Sequence, residues 1–146
     1  MNNLEIASLA ALLEGIDNPV SALANASAYL NDLLEDVNWV GFYTYDGEKL
    51  VLGPFQGHPA CTPLTMDKGV CARAAREEQN VRVDNVHAFP GHIACDSASQ
   101  SEIVLPLFKD GVLYGVLDID APVPSRFSAD DEAFLDAACR VIEQAL

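Results

Sequence analysis

Basic side chains are scarce in this chain. Eight Lys and Arg stand against 22 Asp and Glu over 146 residues, for a formal net charge of −14. A surface of that sign repels phosphate backbones, so nucleic acid is excluded as an expected partner, and anionic membranes are disfavoured. Long apolar runs are missing too, and no segment approaches the length that spans a bilayer. Residues Met1 to Gly15 carry Glu5 and no basic residue, so the charged start of a signal peptide is lacking. The expected location is therefore the cytoplasm. The four cysteines include no Cys-x-x-Cys pair, and the three histidines no His-x-x-x-His pair. Zinc on Cys61, Cys71, Cys95, His58, His87 and His92 is thus the minority reading, and no bound metal is expected. A nucleophile-elbow glycine pattern, a phosphate-cradling glycine loop, internal repeats and linkers are all lacking.

What is present suits one compact domain over residues 1–146, because half the residues are apolar. Met1 to Leu13 suits a short helix. Asn18-Pro19 reads as an N-cap with proline at the first helical position, opening a helix over Ser21 to Glu35. Asn38 to Tyr45 is a predicted strand, and Asp46-Gly47 turns it into a second at Leu50 to Phe55. Gly57 to Asp67 is irregular. Val70 to Glu78 suits a short helix and Val81 to Val83 a short strand. Asp84 to Gln100 is a polar excursion of a length that usually carries function. Ile103 to Phe108 and Val112 to Ile119 form the clearest hairpin. Ser128 and Asp131 suit a capping box for a last helix, with Phe134, Ala138, Val141, Ile142 and Ala145 as its apolar stripe. The expected fold is α+β, an antiparallel sheet flanked by helices.

The last hairpin holds three acids at one end. A three-residue Lys109-Asp110-Gly111 loop would set Glu102 opposite Asp118, with Asp120 on the same face. A two-residue Asp110-Gly111 turn would instead send Glu102 to the other face. Crowded carboxyls cannot all ionise cheaply, so at least one should stay protonated and able to donate. The blander alternative places Asp118 and Asp120 in water at a fraying strand end. Trp39, Gly41 and Tyr43 share one strand face and could leave a notch for a small apolar group, but ordinary core packing is the reading the sequence favours.

Three cysteines lie in suggestive places. Cys61 sits in an irregular proline-flanked stretch. Cys71 follows Gly69 at a helix start, where the dipole favours a thiolate. Cys95 follows His92, whose imidazolium would lower the thiol's pKa, while Asp96 would oppose it. Cys139, beside the apolar stripe of the last helix, is expected to be inert.

Six stretches in order resemble one family: Asn38-Trp39-Val40-Gly41-Phe42-Tyr43, Leu52-Gly53-Pro54-Phe55-Gln56-Gly57, Gly69-Val70-Cys71, Gly91-His92-Ile93-Ala94-Cys95-Asp96, Ser101-Glu102-Ile103-Val104-Leu105-Pro106 and Gly115-Val116-Leu117-Asp118-Ile119-Asp120. They are similar to the free methionine-(R)-sulfoxide reductases, small enzymes built on a GAF domain. The resemblance implies a GAF-type sheet flanked by N- and C-terminal helices. It makes Cys95 the nucleophile and Cys61 the recycling cysteine, with Cys71 as an alternative resolving residue or helper. It implies that Glu102, Asp118 and Asp120 bind the substrate and assist at the sulfoxide, and that Trp39 and Tyr43 pack around its methyl end. No bound cofactor is implied. Thioredoxin, with its NADPH-dependent reductase, would be the external reductant, and free methionine sulfoxide the substrate. A homodimer is compatible with the resemblance. The rival expectation is a non-catalytic GAF module sensing a small ligand, for which three placed cysteines would be superfluous.

Overall fold

A computed structural model describes residues 3–92 and 95–146. Met1 and Asn2 of the expected first helix, and Ile93 and Ala94 of the cysteine motif, lie outside the described residues. Two helices come first, α1 (Asn3–Leu13) and α2 (Pro19–Leu33), followed by β1 (Trp39–Tyr45), β2 (Leu50–Gln56), α3 (Val70–Glu77), β3 (Val81–Val83), β4 (Ser101–Lys109), β5 (Val112–Ala121) and α4 (Ala129–Glu143). The strands form one antiparallel sheet in the order β2-β1-β5-β4-β3.

Capping explains where the helices begin. The Asn18 side chain accepts from the Val20 amide, and Pro19 occupies the first turn, where a missing N–H costs nothing. At α4, Ser128 accepts from the Asp131 amide, and the Asp131 carboxylate accepts from the Ser128 amide, closing the expected capping box.

Strand alternation divides the interior in two. Val40, Phe42, Ile103, Leu105, Leu107, Leu117 and Ile119 point to one face and pack against α1, α2 and α4. Phe134, Ala138 and Ile142 of the expected stripe are buried there, joined by Leu135 and Cys139. Each large side chain fully buried in this layer contributes roughly 1.5–3 kcal/mol. The opposite face carries Trp39, Tyr43, Val104 and Val116, which pack against α3 and the loop around Leu64. Glu102, Asp118 and Asp120 share that second face.

The β4–β5 register corrects the sequence-based expectation. The turn has two residues, with positive φ at Asp110 (54°) and Gly111 (77°), as a type I′ turn requires. Lys109 pairs with Val112 and Phe108 with Leu113, but Leu107 pairs with Gly115. Tyr114 is therefore the extra residue of a bulge. The short turn alone would have placed Glu102 on the helical face. The bulge shifts the ladder by one and returns Glu102 to the face of Asp118 and Asp120. Its partner is Asp120, and Val104 takes the place opposite Asp118. Gly115 permits the crowding beside the bulge, since a Cβ there would stand 2.1 Å from the Tyr43 carbonyl oxygen.

Candidate active site

Each wall of the site comes from a different element. Asp118 and Asp120 rise from the centre of the sheet on β5, with Glu102 beside them on β4. Strand β5 runs on to Ala121 and is paired on both sides, so these acids do not fray into water. Glu102 and Asp118 are each only 6% exposed. Cys71 lies over them in the first turn of α3, and its Sγ can come within 4.8 Å of carboxylate oxygens of both Glu102 and Asp118.

Burial pushes the Glu102 carboxyl well above the usual range, and the charges of Asp118 and Asp120 push it further. Asp118 is also raised by burial, although hydrogen bonds from Glu102 and Cys71 oppose the shift. Asp120 is raised by burial and by Asp118, against hydrogen bonds from Glu102 and Ser99. Hydrogen bonding among the three carboxyls raises Glu102 and opposes the rise at Asp118 and Asp120, so the proton they share rests chiefly on Glu102. One oxygen of Asp118, Oδ1, is buried with no partner among the described residues. A buried carboxylate oxygen left this way is costly unless something else pairs with it.

Cys71 does not carry the thiolate expected at a helix start. Burial raises its pKa well above the ordinary value, and the charges of Asp118, Glu102 and Asp120 add to this. Desolvation and three acids outweigh the terminal turn of one short helix. Cys71 is a thiol that donates to Asp118.

Trp39 and Tyr43 form the side wall, with ring centroids 6.0 Å apart. Their polar ends hold the loop that follows β2. Trp39 Nε1 donates to the His58 carbonyl at 3.1 Å, and the Tyr43 hydroxyl donates to the Cys61 carbonyl at 2.9 Å. Burial keeps that hydroxyl protonated by raising its pKa. The same loop is tied to the β2 edge by the Leu52 amide, which donates to Thr62 Oγ1, and by the Leu50–Leu64 bridge. Gly41 is packed, as the core-packing reading expects. A Cβ there would stand 2.2 Å from Phe55 Cβ, and Phe55 stacks on Trp39 with centroids 5.1 Å apart. The glycine makes room for Phe55 rather than for a ligand.

Above this floor Cys61 and Cys95 are joined by a disulfide, with Cα atoms 5.6 Å apart. His92 is half-buried, and burial, followed by His87, lowers its pKa. It is a neutral imidazole near pH 7, so the expected imidazolium beside Cys95 is not formed. Cys71 and Cys139 remain free and buried. Cys139 packs in the helical layer, where burial raises its pKa, in keeping with an inert core thiol.

A cavity of about 60 Å³ lies between these walls, bordered by Trp39, Tyr43, Cys71, Cys95, Glu102, Asp118 and Asp120. Cys61 reaches its mouth through the bond to Cys95. Trp39, Tyr43, Cys61, Cys71, Cys95, Glu102, Asp118 and Asp120, the site residues expected from the sequence, are thus gathered at one place, while Cys139 lies in the other layer. Two were missed, Ser99 and Asn38. Ser99 is buried and hydrogen-bonds to Asp120. Asn38 belongs to a recognised stretch but had been assigned no task. A lone serine in a polar run and an asparagine before a strand have no periodicity that would mark them.

Comparison with known proteins agrees with this architecture. The GAF domain family matches residues 18–146. The free methionine-R-sulfoxide reductase of Escherichia coli (strain K12) is 47% identical over 136 residues, covering 93% of this chain and 82% of its own length. The fRMsr of Staphylococcus aureus in its reduced form superposes with a TM-score of 0.95 at 49% identity, covering 98% of this chain and 93% of that one. The complex of the Staphylococcus aureus fRMsr with substrate gives 0.93 at 48% identity, with 98% and 94% covered. Fold and site together define a GAF domain with a disulfide at the mouth of an acid-floored pocket. Within that class, the chain belongs to the free methionine-R-sulfoxide reductase family.

Proposed function

We propose that this protein reduces free L-methionine (R)-S-oxide to methionine, with the Cys61–Cys95 disulfide as the oxidised product of each cycle. The observation that carries this reading is that disulfide, closed at the mouth of a cavity whose floor holds the buried carboxyl of Glu102 beside two further acids, which raise its pKa. A sulfoxide sulfur is a poor electrophile until its oxygen receives a proton. Glu102 supplies that proton as the Cys95 thiolate attacks sulfur. Methionine leaves reduced by two electrons, and Cys95 becomes a sulfenic acid, oxidised by two. The Cys61 thiol then displaces water from Cys95 and forms the disulfide. An external dithiol, for which we propose thioredoxin with its NADPH-dependent reductase, returns the two electrons by exchange. This recycling places the enzyme in a reducing compartment, the cytoplasm.

Binding follows from the same groups. The ammonium of a free amino acid pairs with the ionised members of the cluster. A residue inside a peptide has no such charge, which accounts for selection of the free form. Trp39 and Tyr43 flank the methyl end.

The direct test is a single turnover without reductant. Fully reduced protein is mixed with excess free methionine R-sulfoxide, and both methionine and cysteine states are quantified by mass spectrometry. One methionine per chain, released together with one Cys61–Cys95 disulfide, is expected. Ligand binding without methionine release would transfer the assignment to a sensing module.

A further inference from the structure

Asn38, just before β1, links three parts of the site. Its backbone amide donates to the Asp120 carbonyl at 2.9 Å, extending the β1–β5 ladder. Its side-chain Nδ2 donates to Asp96 Oδ2 at 3.0 Å and to Ser99 Oγ at 3.2 Å. The amide orientation is dictated by its partners, because an ionised carboxylate can only accept. Asn38 Oδ1 is buried with no partner among the described residues, a further cost of holding Nδ2 where it is.

Both residues gripped by Asn38 belong to the short turn that follows Cys95. Asp96 Oδ1 accepts from the Ala98 amide at 2.9 Å, and the Ser99 amide donates to the Asp96 carbonyl at 3.2 Å. Asp96 is therefore anchored through both carboxylate oxygens, one residue from Cys95. Ser99 receives Nδ2 on its oxygen and so turns its own proton toward Asp120.

We propose that Asn38 is a positioning residue that, through Asp96 and Ser99, clamps the Cys95-bearing turn to the start of β1 beside the carboxyl cluster. The clamp spans non-covalent contacts only, so it persists when the Cys61–Cys95 bond is reduced. It keeps Cys95 over the cluster at the stage when Cys95 must act. Its role in turnover rests on the reductase reading, whereas its grip on Cys95 does not.

The test compares Asn38→Ala, Ser99→Ala and the double variant, with Asn38→Asp as a near-isosteric second choice should Asn38→Ala not fold. Folding is checked by circular dichroism and thermal unfolding. The first readout needs no substrate: the rate at which iodoacetamide alkylates Cys95 in the reduced protein, followed by peptide mass spectrometry. Release of the turn moves Cys95 away from the acids and into solvent, so alkylation should quicken by about tenfold while kcat falls on the order of 10–100-fold. Ser99→Ala should show the same two effects more weakly, and the double variant should add little to Asn38→Ala, as residues in one chain of contacts do. A folded Asn38 variant with unchanged Cys95 alkylation would overturn the clamp. Failure of the wild type to reduce methionine sulfoxide would instead remove the reductase reading and leave the alkylation result standing.

Discussion

Glu102 on β4 and Asp120 on β5 are directly paired across the sheet and hydrogen-bonded through their side chains, although both are acids. Two carboxylates in that relation would repel strongly, so the pair holds together only by retaining a proton. That retained proton is the chemical resource of the site.

The first consequence is a pH dependence of turnover. With Glu102 raised by burial, activity should persist well above the usual carboxyl range and fall as pH rises through its shifted pKa. Glu102→Gln should abolish that descending limb and lower kcat by roughly 10²–10⁴-fold, the usual worth of a general acid. A pH–rate profile of both proteins measures this. An unchanged alkaline limb in the variant would remove Glu102 as the proton source.

The same shift has a sign for stability. The folded protein keeps a proton on Glu102 that the unfolded chain, with a glutamate pKa of about 4.3, releases. Stability associated with Glu102 is therefore full below that value and declines as pH rises toward the folded pKa. Glu102→Gln should be stabilising relative to wild type at pH 8 and much less so at pH 4. Urea midpoints at the two values make the comparison.

The cysteines separate by role. Cys95→Ser should release no methionine. Cys61→Ser should release about one methionine per chain and then stall at the sulfenic acid, which a dimedone label would trap. Cys71→Ala should retain sustained turnover, because Cys61 and Cys95 already close without it. Sustained thioredoxin-dependent turnover by Cys95→Ser would contradict the scheme.

Asp118→Asn probes the binding role. Loss of a charge-assisted contact to the substrate ammonium, worth roughly 1.5–3 kcal/mol, should raise KM by on the order of 10–100-fold. A carboxyl-binding role would predict the reverse, and steady-state kinetics with free methionine sulfoxide distinguishes the two.

Gly41→Ala tests the wall. The new Cβ would meet Phe55 Cβ at 2.2 Å and the Trp39 ring at 2.7 Å. Overpacking of this kind costs about 1–3 kcal/mol, or several degrees in Tm, and displaces Trp39 from the site. Differential scanning calorimetry reads the first effect and intrinsic tryptophan fluorescence the second.

Much of this arrangement is legible in the residue order, because periodicity and capping are local. Asn18-Pro19, Ser128 with Asp131, and the alternation of Val40 and Phe42 against Trp39 and Tyr43 each carry their own physical signal. The expected ends are close: the second helix stops at Leu33 rather than Glu35, and β5 continues to Ala121. What escapes is set by contacts between distant segments. The bulge at Tyr114 has no local mark, so the residue order leaves the turn length open, and the two-residue turn gathers the acids only because the bulge resets the ladder. Desolvation of Cys71 likewise requires the sheet beneath it, which the helix-start argument does not contain. His92 next to Cys95 in the sequence says nothing of burial, which keeps the imidazole neutral. Core packing at Gly41 is legible, but nothing in β1 announces that Phe55 is the partner that fills it.

The most direct measurement of the central claim is turnover of free methionine sulfoxide with thioredoxin, its reductase and NADPH, with the R and S epimers assayed separately. The account predicts NADPH consumption matched by methionine formation with the R epimer and none with the S epimer. Equal turnover of both epimers, or of neither with the thiols fully reduced, would contradict it.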